Sequence, residues 1–215
     1  MQNEETSAPS DDPAPSADAT TPVRKRPKPG ERRVQILQTL AAMLERPGAE
    51  RVTTAALAAQ LDVSEAALYR HFASKAQMFE GLIDFIEQSV FTLVNQITER
   101  DDAGREQAAR IVTMLVQFAE KNPGMTRVMV GDALVYENER LQNRMNQFFD
   151  KIESTLRQVL RDAVVADGSA TPTVDAQVRA AALTAFVVGR LQRFARSGFR
   201  RAPSEHLEAS VMLML

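Results

Sequence analysis

Apolar residues recur at spacings of three and four from residue 31 onward, and this periodicity constrains the fold more than any other feature of the sequence. Such spacing aligns apolar side chains along one face of an α-helix, whereas a half-buried strand alternates every second residue. The clearest stripe lies in the segment 74–100 and consists of Phe79, Leu82, Ile83, Ile86, Val90, Leu93 and Ile97. No segment alternates like a strand, so the sequence predicts an all-α protein.

Caps and helix breakers indicate where the helices begin and end. The first predicted helix begins at Glu31 and ends before Pro47 and Gly48. Ser64 and Ser74 are in position to cap two later helices. The predicted helices after the first are 54–61, 64–72, 74 to about 100, 105–121, 126–135, 139–165, 174–197 and about 203–215. We therefore expect a three-helix head over residues 31–75 and a larger helical body over residues 76–215.

Residues 1–30 differ from the rest in composition, with much Pro, Ala, Ser, Asp and Thr and almost no large apolar residue. We predict that this acidic, Pro-rich extension is disordered, because it cannot bury enough surface to offset its chain entropy. Residues 22–75, including a basic arm at 24–28, contain ten Lys or Arg and five Asp or Glu. This charge indicates a polyanionic partner, although an ordinary solvated surface can carry it too.

The residues needed for several kinds of chemistry are missing from the sequence. There is no Cys, and the two His residues, His71 and His206, lie far apart in the chain. We therefore expect no disulfide, no catalytic residue, no metal site and no cofactor, and not an enzyme. No apolar run approaches the roughly 18 residues of a membrane span, and no signal-peptide core is present. We expect a cytoplasmic protein without a membrane partner.

The segment 53–75 has the pattern of a helix-turn-helix. Thr53 or Thr54 can cap a first short helix and Ser64 a second, and the small side chain of Ala58 allows the two helices to approach closely. Leu57, Leu61, Leu68 and Phe72 are placed to hold the pair against the first helix of the head. We expect the second helix of the pair to present its opposite face to solvent.

That outer face is slim enough to enter the major groove of DNA, which is about 12 Å wide. Ala67 can contact a thymine methyl group, Glu65 can accept from a cytosine amine, and Lys75 suits a phosphate. The predicted DNA contacts are Thr53, Thr54, Ser64, Glu65, Ala66, Ala67, Tyr69, Arg70, His71 and Lys75. Each of them alone also fits an ordinary exposed helix surface; their shared order and spacing favour DNA binding.

Short runs within this segment resemble the signature of the TetR family of transcription regulators. They are Val-Ser at 63–64, Leu-Tyr-Arg-His-Phe at 68–72 and Ser-Lys at 74–75. The resemblance implies a TetR-like fold, with a helix-turn-helix head and a C-terminal dimerisation body. Asp62 stands where the family usually has Gly, at a turn that needs a left-handed residue, and Asp tolerates that conformation better than most residues.

The resemblance continues into the body, at 64–79, 82–89, 122–124 and 139–161, where the chain is similar to a group within this family, the nucleoid occlusion factors. It implies a homodimer bound to palindromic DNA on the nucleoid that antagonises the division GTPase FtsZ and blocks septum formation over the chromosome. The alternative is a ligand-responsive TetR-type repressor. That alternative needs a pocket with a few polar groups, whereas the predicted body core is almost wholly aliphatic, with Met and Phe.

A partner surface is expected near the fourth helix. Phe85 lies about 120° from the apolar stripe of that helix, on a side shared with Met78. An aromatic residue there is either buried by another helix or used for recognition, and both interpretations stay open. The resemblance implies that Phe85, Lys121 and Asn122 contribute to the surface that binds FtsZ.

The segment 174–197 is apolar on more than one face, so it must be buried on more than one face. Ala181, Ala185 and Gly189 recur at steps of four, a spacing that lets two helices pack closely. We expect these three residues in the interface of a two-fold dimer, which is also the symmetry of a palindrome. Whether dimers assemble further on DNA stays open.

Overall fold

Helices alone make up the regular structure of the computed structural model, which describes residues 30–46 and 51–215. They are α1 Glu31–Leu44, α2 Thr54–Gln60, α3 Glu65–Tyr69, α4 Lys75–Thr98, α5 Gly104–Lys121, α6 Pro123–Met129, α7 Glu139–Ala166, α8 Pro172–Arg196 and α9 Leu207–Met214, with a 3-10 helix at Asp132–Leu134. The all-α prediction is confirmed. The expectations for residues 1–29, with the basic arm, and for the stop at Pro47 and Gly48 concern residues outside the described ranges.

The head is a bundle of α1, α2 and α3 around a small apolar core. Leu57 of α2 and Leu68 of α3 are buried together with Ile36 and Leu40 of α1. These are the apolar positions that the periodicity assigned to the interior, and their burial fixes the two short helices on α1. Helices of seven and five residues have little stability of their own, so this tertiary packing sustains them.

The side chain of Arg33 on α1 contacts the end of the helix-turn-helix. Its guanidinium lies 4.1 Å from the centroid of the Phe72 ring and donates to the carbonyl oxygen of His71. A cation over an aromatic face and a charged donor on a carbonyl both favour this position. Arg33 therefore ties the start of α1 to the connection between α3 and α4.

The body is built on α4, α5, α7 and α8. α7 packs along α8, and α5 contacts both of them. One face of α7 is fully buried, at Leu141, Met145, Phe148, Ile152, Leu156 and Leu160. None of the helices in the described ranges is long and apolar enough to cross a membrane.

Body and head meet where α6 crosses α1. A Cβ atom built on Gly124 would lie 2.0 Å from the carbonyl oxygen of Ala41, so only glycine allows the two backbones to come this close. α6 also contacts α4, α5 and α8. It is therefore the element through which the head rests on the body.

Three details of the predicted helices were wrong. The sixth helix was expected at 126–135, but Pro123 starts it three residues earlier and Gly131, at φ 79°, stops it before the 3-10 helix. On α4, Leu93 was assigned to the apolar stripe and is exposed, while Val94 is buried. Met78, expected beside Phe85, is fully buried, because the N-terminal part of α4 is covered by the head as well as by α7.

Candidate nucleic-acid interface

The turn between α2 and α3 sets the angle of the candidate recognition helix. Asp62 has a φ of 54°, in the left-handed region. The amide of Asp62 donates to the Ala59 carbonyl at 3.2 Å, and the amide of Val63 donates to the Ala58 carbonyl at 3.0 Å. The left-handed turn expected at this position is therefore present, with Asp in place of Gly.

Three hydroxyl groups cap the helices around the turn. Thr53 accepts from the amide of Ala56 at 3.1 Å, Ser64 from that of Ala67 at 3.3 Å, and Ser74 from that of Gln77 at 3.2 Å. Thr53, not Thr54, is thus the cap of α2. The Thr54 hydroxyl instead donates to the Glu65 carboxylate at 2.6 Å and links the start of α2 to the start of α3.

The outer face of α3 is open to solvent. Glu65, Ala66, Tyr69 and Arg70 are exposed, Ala67 and His71 are half-buried, and Leu68 on the opposite side is fully buried. Glu65 is the one of these whose side chain is held by a neighbour in the head, through Thr54. The two alanines keep the leading edge of α3 narrow, as a helix that enters a groove requires.

Lys75, the first residue of α4, was expected to contact a DNA phosphate, and that contact stays a prediction. In the protomer its ammonium forms an ion pair with the Glu137 carboxylate, in the connection between the 3-10 helix and α7, which the sequence did not indicate. The same ammonium lies 5.6 Å from the centroid of the Phe79 ring. Periodicity cannot reveal this pair, because its two residues are 62 positions apart in the chain.

The three residues expected on the partner surface differ in their surroundings. Phe85 is 49% exposed, so α4 presents a large aromatic side chain to solvent. Lys121 is exposed at the end of α5. The side-chain amide of Asn122 donates to the backbone carbonyl of Phe118 at 2.7 Å. The backbone carbonyl of Asn122 accepts from the backbone amide of Thr126 at 2.9 Å. Asn122 is therefore a joint between α5 and α6.

The outward face of α8 is small and apolar. Ala185 is exposed, Ala181 and Gly189 are half-buried, and a Cβ atom built on Gly189 would meet nothing within 4 Å. Val178, on the same face, is 61% exposed, and Met212 of α9 is 70% exposed. The small-residue ladder thus lies on an uncovered face, and α9 adds apolar residues that the ladder alone did not indicate.

One open cleft of the body is lined mainly by polar and charged groups. It has a volume of about 790 Å³ and lies between the α4–α5 connection and α7, and its lining includes Arg100, Asp102, Arg105 and Asp162. In the described part of the chain, no group of three or more acidic or His side chains is arranged to hold a metal ion.

Two family models divide the chain between them. Residues 36–82 match the bacterial regulatory proteins of the tetR family, and residues 106–215 match the tetracyclin repressor-like C-terminal domain of the SlmA-like type. The first match includes the helix-turn-helix and most of the surface described above. The chain belongs to the TetR family of DNA-binding regulators.

Within the TetR family, the similar proteins are nucleoid occlusion factors named SlmA. The factor from Vibrio vulnificus is 50% identical over 182 residues, which is 84% of this chain and 92% of that protein. The factor from Vibrio cholerae is 49% identical over 178 residues, or 82% of this chain and 90% of that protein. Identity at this level over most of both chains places the protein in the SlmA group of nucleoid occlusion factors.

Solved structures of more distant TetR regulators share the fold. PfmR from Thermus thermophilus superposes with a TM-score of 0.70 at 22% identity, covering 84% of this chain and 97% of that one. The fatty acid degradation regulator FadR from Bacillus halodurans gives a TM-score of 0.69 at 14% identity, covering 88% and 97%. The expected TetR-like fold is confirmed for both head and body, over the 84–88% of the chain that these structures cover.

Proposed function

We propose that this TetR-family protein binds palindromic DNA as a homodimer and, bound there, antagonises assembly of FtsZ, so that no septum forms over the chromosome. The observation that carries the proposal is the 50% identity to an SlmA nucleoid occlusion factor over 182 aligned residues, which include both head and body. We expect the protein in the cytoplasm, associated with the nucleoid.

The DNA side of the proposal rests on the exposed face of α3. Ala66, Ala67 and Glu65 face outward for contacts to base edges, and Tyr69 and Arg70 flank them for contacts to phosphates. Two such heads related by a two-fold axis suit the two halves of a palindrome. The uncovered ladder of Ala181, Ala185 and Gly189 on α8 is the surface through which we expect the dimer to form.

The FtsZ side rests on Phe85. A half-exposed aromatic on a helix is well suited to be an interface anchor, because burying it in a complex removes a large apolar area from water. Lys121 provides a positive charge on the body for an acidic segment of the partner. Asn122 already has partners within its own chain, so we expect it to shape the α5–α6 joint rather than to contribute much affinity.

The proposal is tested by a pull-down of purified FtsZ with wild type and with Phe85→Ala, each loaded on operator DNA. Truncation of the anchor should cost about 2 kcal/mol of partner binding, while the melting temperature and DNA affinity change little. Lys121→Glu should weaken FtsZ binding in the same direction. Val165→Ala, which truncates an exposed apolar residue on α7, is the matched control and should bind FtsZ like wild type.

The outcomes separate this proposal from a ligand-responsive repressor. A wild-type protein that does not bind FtsZ contradicts nucleoid occlusion and favours the repressor. Genome-wide mapping of binding sites gives an independent answer. Many palindromic sites spread over the chromosome, with few near the terminus of the chromosome, support nucleoid occlusion. One or two promoter sites support repression instead.

A further inference from the structure

The ion pair between Lys75 and Glu137 joins the DNA-reading head to the body at one point. Lys75 begins α4 directly after the connection that leaves α3, and Glu137 lies just before α7. The side chain of Glu137 is only 10% exposed and that of Lys75 24% exposed. A pair this shielded is screened less by salt than a surface pair.

Glu137 is itself held firmly. Its amide donates to the Leu134 carbonyl at 3.0 Å, which closes the turn after the 3-10 helix. The next residue, Asn138, caps α7 by accepting from the amide of Arg140 at 3.0 Å. The carboxylate is therefore presented from a rigid corner of the body, and Lys75 is positioned by it.

The same ammonium is a predicted phosphate contact, and the two uses compete. Lys has three N–H donors, so it can bind Glu137 and a phosphate together, but that places two anions close to one cation. On any DNA, Glu137 then reduces the attraction that Lys75 alone would provide. On a palindrome, the same ion pair fixes the head relative to the body. In the dimer, the equivalent pair of the second protomer does the same, so that the two pairs together maintain the spacing of the two recognition helices.

We propose that Glu137 is a specificity-determining, positioning residue: it anchors the head through Lys75, which strengthens binding to a correctly spaced palindrome and weakens binding to unrelated DNA. The inference rests on the proposed DNA-binding function. It predicts that breaking the pair raises the affinity for unrelated DNA and lowers the preference for a correctly spaced palindrome. A competing charge without a positioning role would raise both affinities equally, and a residue needed only for folding would lower both.

The test compares Glu137→Gln with wild type on three duplexes. One is the palindrome that the full-length wild type selects from a random 30-base-pair library; the second is that palindrome with one base pair inserted at its centre; the third is a duplex of random sequence. Glu139→Gln is the matched control, because Glu139 is exposed, lies two residues further on, and loses the same charge. Affinity is measured by fluorescence anisotropy over a range of salt concentrations.

We expect Glu137→Gln to bind the random duplex about threefold more tightly, with a salt slope steeper by about 1. Its preference for the palindrome over the one-base-pair insertion should fall by about threefold or more, since the heads are less fixed. Glu139→Gln should match wild type in both measurements. In a Lys75→Ala background, Glu137→Gln should have no further effect, because the anchor is already gone.

Other outcomes overturn the inference. Equal gains on all three duplexes would leave Glu137 as a competing charge only, and equal losses with a lowered melting temperature would leave it as a structural residue only. An unchanged salt slope together with an unchanged spacing preference would remove both roles. If the wild type selects no palindrome, the proposed DNA-binding function itself fails, which is a separate result.

Discussion

At the scale of single residues, the left-handed turn at Asp62 decides how α3 is presented. A φ near 54° suits Gly, Asn and Asp best, because most other side chains lose stability through close contacts with the backbone there. The chain uses Asp where the family usually has Gly, and the turn keeps its geometry. The exact identity of this residue therefore matters less than its tolerance of a positive φ.

We predict that Asp62→Val lowers the free energy of unfolding by about 1–2 kcal/mol, because a β-branched residue is strained in the left-handed region. Urea unfolding monitored by circular dichroism measures the change. Asp62→Asn is the matched control, since Asn tolerates the same φ, and it should stay close to wild type. Equal stability of the Val and Asn variants would show that the turn relaxes to another conformation.

Residue by residue, local signals were predictable and long-range pairs were not. Ser64 and the left-handed turn follow from rules that connect neighbouring residues, so the sequence indicated both. The partner of Lys75 and the link from Thr54 to Glu65 depend on how helices are placed in three dimensions. Phe85 was left undecided between core and surface, and the position of the other helices settles that it is half-exposed.

At the scale of helices, α4 and α7 are joined by ion pairs as well as by apolar packing. Arg144 on α7 donates from Nη2 to Asp84 and to Glu87, each at 2.6 Å, and from Nε to Glu87 at 3.1 Å. The hydrogen bonds to Glu87, and then to Asp84, raise the pKa of Arg144 against the opposing effect of burial. The two carboxylates therefore stabilise the charged form of the guanidinium.

We predict that Arg144→Ala destabilises the protein by about 1–2 kcal/mol, because the partly buried Glu87 and the exposed Asp84 lose their shared cation. Arg140→Ala is the control one turn earlier: Arg140 is more exposed and pairs with Glu80 alone, so its loss should cost less than about 1 kcal/mol. Both are measured by urea unfolding, and high salt should reduce the difference. Equal costs for the two variants would mean that burial adds nothing to this link.

Helix existence was more predictable than helix ends. The long periodic helices α4, α5, α7 and α8 were expected within a few residues of where they lie. The ends of the sixth helix are fixed by Pro123 and Gly131, whereas the apolar residues alone favour a helix that starts and ends later. On α4 the apolar stripe included Leu93, which is exposed, instead of Val94, which is buried. The sequence does not show which neighbouring helix covers each turn of α4.

At the scale of the whole molecule, α8 presents an apolar face that no other described part of the protomer covers. Val174 and Val178 are exposed beside the small-residue ladder, and Met212 and Leu213 of α9 extend the apolar surface. Exposed apolar area of this kind on a regulator that reads a palindrome is most simply explained by a second copy related by a two-fold axis. The two heads would then be placed by the packing of α8 against its twin.

Gly189 allows this interface to be tested apart from the fold. A Cβ atom there meets nothing within 4 Å among the described residues, and the position is half-buried at the surface of α8, so Gly189→Leu should leave the monomer intact and even favour the helix slightly. In the dimer, the leucine would force the two copies of α8 apart, an overpacking cost of about 1–3 kcal/mol. Sedimentation velocity at low micromolar concentration should then show monomer accumulating, with affinity for the palindrome lost in parallel.

The control for this variant is Gln147→Leu, which places the same side chain on an exposed position of α7 and should remain dimeric. Far-ultraviolet circular dichroism should show unchanged helix content in both variants, because neither substitution touches the core. Gly189→Leu that stayed fully dimeric would place the interface on another face and remove α8 as the element that spaces the heads. Loss of helix content in Gly189→Leu alone would mean that the dimer is needed for the fold, because the added Cβ atom itself meets no neighbour in the described protomer.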